Sequence, residues 1–189
     1  MRLDSLKHIT RAVSAMLDGD RLVVFGSASL LASFPDLGEL QDGPLMSTYD
    51  VDLIPYPFEE ELGMMLDESF GEDRVFHQRF GYHADIVRPK ITETFPSGWE
   101  SRLLCLEEGE SVFCLEPHDM AAAKCLIARD KDRTQLSFLL SHGYLDFALL
   151  KLRLSEVEQT PKLIVKSHRF LNSMENVKLI KTHCTGAVR

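Results

Sequence analysis

The order of apolar and polar positions divides the chain into short elements. Leu3, Leu6, Ile9, Val13, Met16 and Leu17 recur at helical spacing, and Gly19 supplies a stop. Residues 21–25 form a short β-rich run ending at Gly26-Ser27, and residues 28–33 have helix-forming character. The pattern there is strand, tight turn, helix. A loop punctuated by Pro35, Gly38, Gly43 and Pro44 is expected over 34–47. Residues 49–54 read as a strand closed by Pro55 and Pro57, and 59–69 as a helix weakened by Gly63. The runs 74–80 and 82–87 flank Gly81 and predict two further strands, followed by a proline-containing loop over 88–98.

Residues 102–106 and 111–115 bracket Glu107-Glu108-Gly109 and predict a hairpin. Pro117 stands where a helix begins, running to about Ala128. Further helices are expected at 132–141, 145–154 and 163–173. The fold class that follows is α+β: a small mixed sheet flanked by helices in 1–115, with a helical region in 116–189 expected to pack on it as one unit.

Composition adds boundaries to this picture. The 189 residues are 44% hydrophobic and 26% charged, as in a globular protein, and no apolar run reaches the roughly 20 residues of a membrane span. The first residues lack the continuous apolar core of a signal peptide, so cytoplasmic residence is the expectation. Cys105, Cys114, Cys125 and Cys184 form no C-x-x-C pair, which argues against a zinc or redox motif. The first three sit in apolar surroundings and are expected to be buried thiols. The net charge is −8, yet from Gln159 onward six basic residues (Lys162, Lys166, Arg169, Lys178, Lys181 and Arg189) face one acid, Glu175. Such a tail meets either nucleic-acid phosphates or the acidic body of the chain itself.

The chemistry concentrates in three strands. Asp50 and Asp52 are two apart, so both side chains leave one face of their strand while Val51 and Leu53 take the other. Two carboxylates on one face repel unless a cation sits between them, and an oxygen-rich site suits Mg²⁺ or Mn²⁺. A half-exposed strand with solvated acids gives the same pattern. Gly26-Ser27 between strand and helix is a place where backbone N–H groups can hold phosphate. A third acid, Asp85, lies in the apolar strand Ala84-Asp85-Ile86-Val87, where Arg88 or Lys90 could also pair with it. His77 and His83 flank it and read as structural, as does Trp99.

Phe25-Gly26-Ser27, then Asp50-Val51-Asp52-Leu53 preceded by Thr48, then Asp85, resembles the signature of the DNA polymerase beta-type nucleotidyltransferase superfamily. A second block, Glu116-Pro117-His118-Asp119-Met120-Ala121-Ala122-Ala123-Lys124 followed by Asp130-Lys131-Asp132, is similar to the AbiEii/MenT-like toxin nucleotidyltransferases. The spacer of 22 residues between Ser27 and Asp50 is longer than that superfamily's usual one.

The resemblance implies two metal ions, Mg²⁺ or Mn²⁺, on Asp50, Asp52 and Asp85. It implies a nucleoside triphosphate held by Gly26, Ser27 and Lys124, with Thr48 and Asp132 near the site. The acceptor would be a hydroxyl of RNA (tRNA) or protein, in a toxin–antitoxin setting, and the oligomeric state stays open. An alternative is a catalytically inactive fold acting as a binding or antitoxin-like partner. From the residues alone, Lys124 reads equally as a packed helix lysine. Asp132 reads as an N-cap or as a partner of Lys131 or Arg129.

Overall fold

The computed structural model describes residues 1–17, 19–109 and 111–184, the side chains of the last helix only as far as Glu175. The chain forms two compact units. The first comprises Met1–Thr92 and Trp99–Pro117, the second Glu93–Gly98 and the residues from His118 onward. The architecture is the α+β one expected, a five-stranded mixed sheet with helices and a helical C-terminal region.

In the first unit the strands are β1 (Arg21–Phe25), β2 (Asp50–Tyr56), β3 (His83–Ile86), β4 (Leu104–Cys105) and β5 (Val112–Cys114). Their order across the sheet is β3-β2-β1-β5-β4. β1 pairs antiparallel with β2 and parallel with β5; β2 pairs parallel with β3, and β4 antiparallel with β5. Leu22, Val23 and Val24 are fully buried, which is why β1 reads as a continuous apolar run rather than an alternation. Helix α1 (Leu3–Ser14) buries Leu6, Ile9 and Val13, and α2 (Glu60–Phe70) buries Leu66 and Phe70.

β2 extends past its expected end and includes Pro55. Tyr49 and Leu53 turn their carbonyls toward β3, accepting from the N–H groups of His83 and Val87. With a period of two, the Pro55 nitrogen faces the same side, beyond the last β3 partner, where no N–H is needed.

Four expectations need correction. Residues 74–80 are not a strand: Val75–Phe80 is a helix, α3, ended by Gly81 in the left-handed conformation at φ 78°. Phe76 and Phe80 fall at i, i+4 and stack together at 4.7 Å, joined by His8, Phe70 and Tyr82. Gly81 therefore closes a helix instead of turning a hairpin. The helix after Gly26 is a 3₁₀ segment, Ser27–Ala32, and another, Pro89–Thr94, occupies the expected loop. Cys105 is exposed on the edge strand β4, its Sγ 2.9 Å from the Glu107 carbonyl; Cys114 and Cys125 are buried, and burial pushes both thiols up to about 12. Cys184 has no described side chain.

The second unit contains α4 (Pro117–Ile127), α5 (Asp130–Ser141), α6 (Phe147–Ser155) and α7 (Pro161–Cys184). α7 packs on α5 and α6, and Asp146 caps α6 by accepting from the Leu149 N–H at 2.8 Å. Among the described residues no helix is long and apolar enough to cross a membrane.

Candidate active site

Three adjacent strands assemble the site. Asp50 and Asp52 leave one face of β2 while Val51 and Leu53, fully buried, anchor the other. The parallel register sets Asp52 directly beside Asp85 of β3. One carboxylate oxygen from each of Asp50, Asp52 and Asp85 lies within 4.8 Å of the others. The antiparallel register sets Phe25 against Asp52, so Gly26 arrives at the same place from β1.

Gly26 is tied to Asp52 by space. It sits at φ 67°, ψ −160°, and a Cβ built there would stand 2.0 Å from Asp52 Oδ2. Only a residue without a side chain lets the carboxylate lie across the end of β1. Ser27 then opens the 3₁₀ turn, in which Ser29 Oγ and Ser29 N both donate to the Gly26 carbonyl at 2.8 and 3.3 Å.

The electrostatics of the cluster follow from its composition. Burial raises the Asp85 pKa above its ordinary 3.8. His83, with Nε2 3.4 Å from Asp85 Oδ1, works the other way, while Asp50, Glu72 and Asp67 add to the rise. Three carboxylates held together in this way match the oxygen donor set of Mg²⁺ or Mn²⁺, whose charge would relieve their repulsion. The Arg88 alternative does not apply, since Arg88 forms a two-point pair with Glu60 at 2.8 Å on each arm.

His83 is more engaged than its sequence suggests. It is 8% exposed, touches the third carboxylate, stacks near His77 at 4.7 Å and has a buried Nδ1 without a hydrogen-bond partner. Its opposition to Asp50 in the β2–β3 register is the signal sequence reading missed. Thr48 is buried in the turn before β2, its N–H donating to the Leu45 carbonyl at 3.2 Å. The long spacer is anchored at two leucines. Leu37 and Leu45 are each 1% exposed, and Met46 and Tyr49, both more than half exposed, lead into Asp50.

Lys124 and Asp132 belong to the second unit and pair with each other. Lys124 Nζ donates to Asp132 Oδ1 at 3.0 Å, and Arg129 Nε donates to Oδ2 at 2.8 Å. Asp132 is also the third residue of α5, where its carboxylate accepts from the Arg129 N–H at 3.3 Å. Asp132 is therefore not the N-cap expected, since Arg129 holds that position; the expected pairing with Arg129 is the one it makes. Asp119 of the same motif is fully buried and meets Arg153 Nε at 3.2 Å.

No curated protein and no solved structure matches the chain. The model of a family described as a nucleotidyltransferase of unknown function (DUF6036) matches residues 2–179, which include both the three-strand carboxylate site and the helices that follow. With nearly its whole length matched, the chain belongs to that nucleotidyltransferase family.

Proposed function

We propose that the chain transfers a nucleoside monophosphate from a nucleoside triphosphate to a hydroxyl of RNA (tRNA) or protein, in the cytoplasm and as one half of a toxin–antitoxin pair. The observation that carries this reading is the convergence of Asp50, Asp52 and Asp85 within 4.8 Å at the end of the strand bearing Gly26. Mg²⁺ or Mn²⁺, when bound, supplies positive charge that neutralises the triphosphate and favours attack at the α-phosphorus.

The chain's own groups account for the rest. Asp50 and Asp52 hold the cations. Gly26 lets backbone approach the phosphates, and Ser27 donates to them. Asp85 completes the cation site and, lying beside Asp52 in the β2–β3 register, accepts the proton of the attacking hydroxyl. The acceptor oxygen forms a bond to the α-phosphorus, the bond to the bridging oxygen breaks, and pyrophosphate leaves. Thr48 supports Asp50 and Asp52 through the turn before β2, and Asp132 holds Lys124.

The test is incubation of the protein with each α-labelled nucleoside triphosphate, Mg²⁺ and either total tRNA or cell lysate. Label must appear on one acceptor and vanish with Asp50→Ala plus Asp52→Ala. Absence of transfer to any acceptor, or transfer that survives the double substitution, refutes the mechanism. The phosphate-contacting role that resemblance gives Lys124 is tested by Lys124→Gln, which should raise the KM for the triphosphate.

A second reading, a silent fold that binds a partner, is favoured by one observation: Lys124 is committed to Asp132 and is 8% exposed. Calorimetry with the four triphosphates and Mg²⁺ separates the two readings. Metal-dependent heat supports the transferase, and its absence supports the silent fold.

A further inference from the structure

α7 has two sharply different faces. Ser167, Phe170, Leu171 and Met174 recur at i, i+3, i+4 and i+7 and are buried, with Arg133 of α5 placed 4.7 Å from the centre of the Phe170 ring. Lys162, Val165, Lys166 and Arg169 repeat the same spacing one face away, and all four are exposed. This second face lines a concavity of about 700 Å³, floored by Pro161, Leu163 and Val165 and bordered by the three cations. Among the described residues no carboxylate lines it, although the chain as a whole carries a net charge of −8. Lys166 reaches the Ile127 carbonyl only at 3.5 Å, which leaves most of its donor capacity for an incoming group. At a helical rise of 1.5 Å per residue, the cations are set roughly 6 and 4.5 Å apart along the axis.

We propose that this face of α7 binds a single-stranded segment of RNA, its successive phosphates on Lys162, Lys166 and Arg169 and a base on the apolar floor. A line of regularly spaced cations fits a polymer whose charge repeats regularly, and a guanidinium at its end can meet a phosphate in two-point fashion. The apolar floor takes the face of a base, as a bare basic ridge would not. The inference rests on the transferase reading only in making the bound RNA the acceptor. Lys178, Lys181 and Arg189, the rest of the basic tail, lie outside the described side chains.

The experiment uses the full chain with a fluorescent oligouridylate of about 20 nucleotides, without nucleotide and with chelator present, across salt from about 50 to 200 mM. Three phosphate contacts on a single strand give a log–log salt slope near −2, so affinity should fall roughly 20-fold over that range. The variant K162Q/K166Q/R169Q should lose most of the slope, and each single substitution should make it shallower by about 0.7, a third of the whole. Its melting temperature should match wild type, because all three residues are exposed. Absence of binding by the wild type overturns the proposal, as does an unchanged slope in the triple variant. Competition by polyglutamate as effective as that by RNA also overturns it, pointing instead to an acidic protein segment.

Failure here and failure of the transferase reading are distinguishable. Binding with the expected slope but no label transfer to any acceptor refutes only the transferase. Transfer to RNA with an unchanged acceptor KM in the triple variant refutes only the docking face.

Discussion

The two units treat acidic residues in opposite ways. In the second, Asp132 is 1% exposed and is met by Lys124 and Arg129, and Asp119 is fully buried against Arg153. In the first, the sheet brings three carboxylates toward one another, with further acids near enough to raise the pKa of the third. A buried acid matched by cations holds helices in place. Like charges gathered by strand register destabilise the fold that gathers them, and an arrangement of that kind is the signature of a ligand site. The contrast predicts that removing acids from the first unit's cluster changes activity, and that removing a paired buried acid from the second changes stability.

The largest effect should come from Asp50→Ala with Asp52→Ala. Label transfer should fall below detection, while the melting temperature in chelator stays level or rises because repulsion is relieved. A large loss of stability in that variant would break the contrast. Asp132→Ala should do the reverse. It leaves the buried Lys124 ammonium without its carboxylate and should cost about 3–5 kcal/mol in urea unfolding. Gly26→Ala lies between the two. The new Cβ must displace the Asp52 carboxylate, and a shift of about 1 Å at a reacting centre lowers turnover on the order of 100-fold. The backbone at residue 26, at φ 67° and ψ −160° in a region essentially reserved for glycine, adds about 1–3 kcal/mol of destabilisation.

pH sharpens the contrast most finely. For Asp132, desolvation works upward, but the hydrogen bonds and charges of Arg129 and Lys124 outweigh it and hold the pKa below the ordinary 3.8. Its folded pKa is lower than its unfolded one, so its contribution is present above pH 3.8 and is lost as pH falls through the depressed value. Asp85 has the opposite sign. Its folded pKa is raised, so its contribution is full below 3.8 and is lost as pH rises through the elevated value. Mg²⁺ should therefore stabilise the fold most where Asp85 is ionised and progressively less on acidification through that raised pKa. Melting curves against pH, with and without Mg²⁺ and with Asp85→Asn, measure this; a Mg²⁺ shift independent of pH in wild type would count against Asp85 as a ligand.

Much of the first unit was legible in the sequence because its signals are local. The alternation through Asp50-Val51-Asp52-Leu53 fixes which face each side chain takes, and Gly26 after an apolar run marks the turn. Residues 74–80 misled because a short run containing Phe76 and Phe80 fits either period. Only the cluster made with His8, remote in sequence, and with Phe70 and Tyr82 on the flanking segments decides for the helix. The Lys124–Asp132 pair was hidden for a related reason. It spans a helix break at Ala128, whose φ of 57° sharply turns the chain, and no periodic pattern crosses such a break. His83 likewise gained its place only from the register between β2 and β3.

The interlock of Gly26 with Asp52 has a consequence for how such chains diverge. The two positions cannot drift one at a time while the carboxylate stays in place. Any side chain at 26 collides with the acid at 52, whereas a shortened residue at 52 removes the collision and leaves only the cost of the positive-φ backbone. Among natural variants of this protein, a residue other than glycine at position 26 should therefore accompany loss of the acid at 52, and would mark a copy that has abandoned the site before any assay is run.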